Sequence, residues 1–169
     1  MKIALIANIS ANGKVLLSEN TSYQAPQEAV ALFTEVATRA GNLVIGKKTF
    51  DMLQRVLTDV SSAFPGIELV LISSAGIATD EYKVVASPEE AIRYLTEKGC
   101  QEIAVGGGTI TYNAFLEKDL VTDIYFNIHP VMVGDGGILV TDHALTANFS
   151  LVSHKQINEN IIQLHLNRA

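Results

Sequence analysis

Three consecutive glycines, Gly106-Gly107-Gly108, follow the apolar stretch Gln101 to Val105 and precede Thr109 and Ile110, where a helical pattern carrying Ile110, Ala114 and Leu116 begins. With no Cβ in the way, backbone there can approach a ligand closely. The helix that follows directs its free N–H groups and the positive end of its dipole at an anion, for which a diphosphate is the natural occupant; an ordinary tight turn is the plain alternative. A second junction, Gly46-Lys47-Lys48-Thr49, again lies between a buried strand and a helix. Lysines there meet the positive end of the dipole, so either a bound anion compensates them or they form a solvated charged turn. A third junction, Ser73-Ser74, ends the strand Leu69 to Ile72 with hydroxyls that suit phosphate or ribose, and equally a simple turn.

Other polar residues are less informative alone. Asn8 interrupts an apolar strand at its carboxyl end, where an amide is costly unless a ligand or a buried backbone group partners it. His129, before Pro130, and His154 lack the neighbours of a metal site and read as structural or exposed, so no metal is expected. Cys100 is the single cysteine; it reads as a small apolar residue at a helix-to-strand turn, and its isolation fits a reducing cytoplasm. A formal charge of −6 argues against a nucleic-acid surface, and no apolar run is long enough to span a bilayer. No cleavable signal is expected ahead of the first strand. Small molecules and protein partners remain.

The elements that must position these residues alternate. Lys2 to Ile9 is a nearly unbroken apolar run, as in a strand covered on both faces. Pro26 opens a helix with Ala29, Leu32, Phe33, Val36 and Ala40 on one stripe, stopped by Gly41. Asn42 to Gly46 reads as a strand, Thr49 to Leu57 as a helix, and Ile67 to Ser73 as a strand after the Pro65-Gly66 turn. A short strand at Lys83 to Ala86 leads to Ser87, Pro88 and Glu90, which form a capping box on a helix running to Lys98. Gln101 to Val105 and Val121 to Val133 are strand-like, with Pro130 suggesting an edge or a bulge in the latter. Ser150 to Ile157 and Ile161 to Asn167, joined by Asn158-Glu159-Asn160, read as a hairpin. The pattern predicts one α/β domain over residues 1–169: a mixed, mostly parallel sheet flanked by helices, with an antiparallel hairpin at the C-terminus.

In order, these motifs resemble the dihydrofolate reductase superfamily. Leu43 to Phe50 is similar to its strand-Gly-basic-x-Thr-aromatic motif, Leu71 to Ser74 to its next strand, and Val105 to Thr109 to its glycine-rich turn. The branch built like the riboflavin-biosynthesis reductase domain is the nearer match. Ile9 to Val15 resembles its Ser-x-Asp-Gly-Lys-Ile segment with Asn12 for Asp, and Phe115 to Gly134 and Ile161 to Leu166 follow its later strands. The resemblance implies an NADPH-dependent reductase acting on a small pterin, pyrimidine or ribosylamino-pyrimidine. It also implies a homodimer and a cis peptide at Gly106-Gly107.

Carried over residue by residue, the resemblance assigns Gly46 to cofactor binding, Lys47 to the cofactor's 2′-phosphate with Lys48 nearby, and Thr49 to the diphosphate. Ser73 and Ser74 take the adenosine side, and Val105, Gly106, Gly107, Gly108, Thr109 and Ile110 the glycine turn beneath the diphosphate. The nicotinamide would lie near Ala7 and Asn8. Asn8, Lys14, Glu28 and Phe33 are the substrate candidates, with Phe33 packing on the substrate ring and Lys14 meeting a ribose phosphate. Folate reductases carry a carboxylate early in the first helix. Ala29 stands at that position, and the adjacent Glu28 is turned by about 100° on a helix, so no catalytic side chain is assigned. A non-catalytic nucleotide-binding or regulatory domain is the alternative.

Overall fold

The computed structural model of the chain describes residues 1–16, 23, 26–56, 59–75 and 82–169. Its first half runs β1 (Lys2–Ser10), α1 (Gln27–Ala40), β2 (Asn42–Gly46), α2 (Lys47–Val56), α3 (Val60–Ala63), β3 (Glu68–Ile72) and β4 (Lys83–Val85). The second half runs α4 (Pro88–Glu97), β5 (Glu102–Gly107), α5 (Thr109–Leu116), β6 (Asp123–His129), β7 (Phe149–Gln156) and β8 (Ile162–Arg168). The strands make one eight-stranded sheet in the order β4-β3-β2-β5-β1-β6-β8-β7. β1 to β6 pair in parallel, and β8 runs antiparallel to both of its neighbours, β6 and β7. The sheet is therefore mixed and mostly parallel, as the alternation of elements predicts.

Why the central strands are unbroken apolar runs is visible in the layers. Leu5, Val44, Val70 and Val105 face Ala91, Leu95, Tyr112 and Phe115 of α4 and α5. From the other face Ala4, Ile6, Leu43, Ile45, Leu71 and Ala104 meet Val36 and Ala37 of α1, Phe50 of α2 and Val60 of α3. Both faces are taken out of water, so alternation disappears from these sequences. β7 is the opposite case. Nearly all of it is exposed, including Leu151 and Val152.

Local signals fix most boundaries. Gly41 takes the left-handed conformation (φ 68°) that ends α1. Ser87 accepts from the Glu90 N–H (3.3 Å), and Glu90 Oε2 accepts from Ala86 N–H (2.9 Å), one residue before the cap. Three expectations need correction. α2 begins at Lys47 and not at Thr49, so both lysines lie in its first turn; Leu57, its expected last residue, lies outside the described residues. β6 ends at His129 and not at Val133, because Pro130 has no N–H to continue a ladder; it follows an interior strand and marks no edge. The cis peptide is Gly107-Gly108, one bond later than expected, since β5 itself continues through Gly107. The short α3 carries no periodic signal and was not expected.

Candidate cofactor and substrate site

β2 and β5 are neighbours, so α2 and α5, which leave their carboxyl ends, start side by side. The two strands slip register there: Val44 pairs with Val105, but Ile45 pairs with Gly107, leaving Gly106 as an extra residue. Such a bulge re-aims the chain at the end of a strand. Each junction then packs onto the other. A Cβ on Gly46 would sit 2.5 Å from Thr111 Oγ1 of α5, and one on Gly108 would sit 2.9 Å from Thr49 Oγ1 of α2. Gly106 faces Phe33 of α1, and Gly107 faces the ring of Tyr112. The protein's own close packing therefore explains why all three residues of the turn are glycine.

What that packing leaves open is polar. Gly108 is the N-cap of α5 and offers no side-chain hydrogen bond to the helix. Thr109 Oγ1 is buried and has no hydrogen-bond partner among the described residues, which is costly for a hydroxyl. Ile110, in the same turn, is 74 % exposed. Val105 contributes backbone alone, its side chain lying in the core. On α2, Lys47 is ion-paired with Asp51 one turn on, and Lys48 is exposed. On the next strand out, Ser73 donates its hydroxyl to Ala75 O (2.9 Å) and its N–H to Val85 O (3.0 Å), while Ser74 is exposed.

The substrate candidates lie on β1, on the turn after it and on α1. Asn8 lies opposite Asn127 in the β1–β6 pair and is half-buried. Phe33 is half-buried against Gly106 and Leu43. Ala29 is fully buried on α1, whereas Glu28 is exposed in the first turn, where it complements the dipole. Lys14 is half-buried; its N–H donates to Ser10 Oγ (2.9 Å), and its side-chain stem lies beside Gly136.

Residues 130–140 form a second wall that sequence reasoning missed. Asn12 clamps Val133, donating to its carbonyl (2.9 Å) and accepting from its N–H (3.2 Å). Asn113 of α5 does the same for Ile138 O (2.9 Å) and Val140 N–H (2.9 Å), holding Val140 at φ 58°, a conformation costly for a branched side chain. Gly137 bridges to Val15 and packs against Thr109. Met132 and Ile138 are exposed on this wall. The glycine-rich Gly134-Asp135-Gly136-Gly137 was the available signal for a close backbone approach.

Two buried titratable groups border the site. Burial pushes the Tyr112 phenol up, and its hydroxyl donates to Ile6 O (2.5 Å). Burial pushes the His129 imidazole down, so it favours the neutral form. Among the described residues, no group of three or more His, Cys, Asp or Glu side chains gathers as a metal site would need. No helix among them is long and apolar enough to cross a membrane.

No curated protein matches the chain. Among solved structures it is similar to a protein from Shewanella sp. PV-4 described provisionally as a riboflavin biosynthesis protein, at 20 % identity and a TM-score of 0.81, covering all of this chain and 99 % of that one. It is also similar to a pyrimidine reductase-like protein from Corynebacterium diphtheriae, at 14 % identity and a TM-score of 0.78, covering 99 % of this chain and 92 % of that one. At such identities the likeness is one of fold. Residues 67–163, over half of the chain and including the glycine turn, match the model of the RibD C-terminal domain, and the chain belongs to that family.

Proposed function

We propose that the chain is an NADPH-dependent reductase of a small pterin, pyrimidine or ribosylamino-pyrimidine. The family and the name of the C. diphtheriae neighbour both support a reductase. The observation that carries the cofactor is the orphaned, buried Thr109 Oγ1 at an N-terminus without side-chain capping, beside the start of α2. Two adjacent helix N-termini and a spare hydroxyl fit a diphosphate. Thr49, Thr109 and the Gly108 backbone would hold it, Lys47 and Lys48 would meet a 2′-phosphate, and Ser73 and Ser74 would border the adenosine. NADPH supplies the hydride when bound, and the chain's part is orientation and exclusion of water. Asn8, Phe33 and Lys14 would bind the substrate between β1 and α1. No side chain is assigned as the proton donor. We further propose that the protein is a cytoplasmic homodimer; the lone Cys100 supports the first, and the exposed apolar residues of β7 support the second.

Lys47 gives the sharpest test. To reach a 2′-phosphate its ammonium must exchange Asp51 for the ligand. A charge-assisted contact of this kind contributes about 1.5–3 kcal/mol, so NADPH should bind about 10- to 150-fold tighter than NADH. The Lys47→Met variant should lose most of that preference and keep its affinity for NADH. Calorimetry on both forms checks this, and equal affinities for the two cofactors in the parent protein would remove Lys47 from the role. If NADPH binds but is not oxidised in the presence of pterins, pyrimidines or ribosylamines, the chain is a nucleotide-binding domain that retains the scaffold alone.

A further inference from the structure

On the face of the sheet covered by α1, polar side chains from β1, β6, β8 and the segment after β1 form one hydrogen-bonded chain. Gln163 Nε2 donates to Asn127 Oδ1 (2.9 Å), and Asn127 Nδ2 donates to Asn8 Oδ1 (3.0 Å). From the other side His129 Nε2 lies 3.0 Å from the same Asn8 oxygen, and the Tyr23 hydroxyl lies 2.8 Å from His129 Nδ1. Strand register aligns the amides in one row, with Asn8 opposite Asn127 and Asn127 opposite Gln163. Asn127 and His129 are fully buried, and Gln163 is nearly so. At that depth each polar atom needs its partner.

The chain has a direction. Asn8 Oδ1 can only accept, so His129 must carry its proton on Nε2 and leave Nδ1 bare for the Tyr23 hydroxyl to donate to. Burial favours this neutral imidazole. Both arms therefore converge on one oxygen and fill its lone pairs. The other end of the Asn8 amide, an NH2 group with two donors, meets no acceptor among the described residues. Asn8 stands at the carboxyl end of β1, next to β5 and its glycine turn, and is only half-buried.

We propose that this network locks the Asn8 amide with its NH2 group as a fixed hydrogen-bond donor to the substrate, selecting a ring carbonyl or equivalent acceptor, with Tyr23, Asn127, His129 and Gln163 as positioning residues. The proposal rests on the reductase reading of the same cleft and adds the polarity of its substrate subsite. The opposite polarity would show an oxygen and select a ring N–H or amino group. Reaching it requires the Gln163, Asn127 and Asn8 amides to flip together and the His129 proton to move to Nδ1. The tautomer of one histidine therefore reports the state of the whole row.

The first measurement is nitrogen NMR of histidine-labelled protein, assigned by His129→Phe. His129 should be neutral, protonated at Nε2 and bare at Nδ1; an Nδ1–H tautomer overturns the proposal without reference to any ligand. The second uses Asn8→Asp. Its carboxylate still accepts from Asn127 and His129, so the fold is kept, but the free end changes from donor to acceptor. With 5-amino-6-(5-phosphoribosylamino)uracil as probe, its KM should rise by about 10-fold or more. An unchanged KM overturns the Asn8 assignment alone. Loss of NADPH binding by the parent protein instead overturns the reductase reading, and the NMR result still decides the polarity of the row.

Discussion

A methyl group on Gly106 would meet Phe33 Cζ at 2.5 Å and Leu43 Cδ1 at 2.7 Å. Leu43 is fully buried, so only the half-buried ring of Phe33 has room to give. Overpacking of this kind costs about 1–3 kcal/mol. Gly106→Ala should therefore lose that much stability in urea denaturation. Because the clash is mainly with one ring, Gly106→Ala combined with Phe33→Leu should be less destabilised than the sum of the two single changes. A fully stable Gly106→Ala would show that the bulge has slack and that the glycine there answers to something other than Phe33. Thr109 is the contrasting residue. Its hydroxyl is buried with no hydrogen-bond partner among the described residues. Among the residues of this turn it is the one with a side-chain polar atom left unpaired among the described residues, and Gly137 packs against it.

At the level of elements, the sequence was readable wherever the deciding contact is local. Gly41 ends α1 and Ser87 starts α4 through bonds made within four residues, and both were legible. The continuous apolar runs of β1, β2 and β3 report coverage on both faces, which is also a local record. The register slip between β2 and β5 was hidden, since it depends on residues about 60 positions apart. Likewise Asn8 meets Asn127 and His129 across 119 and 121 positions, and no spacing rule connects them. The first turn of α2 was missed because two lysines oppose the helix dipole, and the sheet junction outweighs that preference. β7 carries the remaining element-scale consequence. It is an edge strand with Leu151 and Val152 exposed at 59 % and 55 %, an arrangement that invites pairing with another chain. If a second copy covers it, Val152→Lys should convert a dimer into a folded monomer in sedimentation at micromolar concentration. A parent protein that sediments as a monomer would refute the homodimer.

The two ends of the sheet divide the labour of the whole molecule. The carboxyl ends hold the glycine turn, the starts of α2 and α5 and the Thr109 hydroxyl; the amino ends hold a charged cluster. There Arg39 forks onto Glu102 (2.6 and 3.1 Å), and Lys2 lies 3.4 Å from Glu102 and 3.8 Å from Asp123. Asp123, itself buried, also takes hydrogen bonds from His165 Nε2 (2.7 Å) and Thr122 Oγ1 (2.8 Å). Burial works against ionising both carboxyls, but the bonds from His165 and Thr122 to Asp123, and from Arg39 to Glu102, outweigh it and hold both below the usual carboxylate range. A carboxyl whose folded value is depressed contributes stability that is fully present above its unfolded value, about 4, and lost as the pH falls through the folded value. The fold should therefore weaken steeply with acid below about pH 4. Asp123→Asn should cost about 1–3 kcal/mol at neutral pH, where the ionised acceptor is lost, and should flatten the acid limb of the urea stability profile. Because the cluster sits at the opposite end of the strands from Thr109 and Asn8, NADPH affinity at neutral pH should be unaffected by the same substitution. A variant with the parent's acid limb would show that the salt-bridged cluster does not govern the response of the fold to pH.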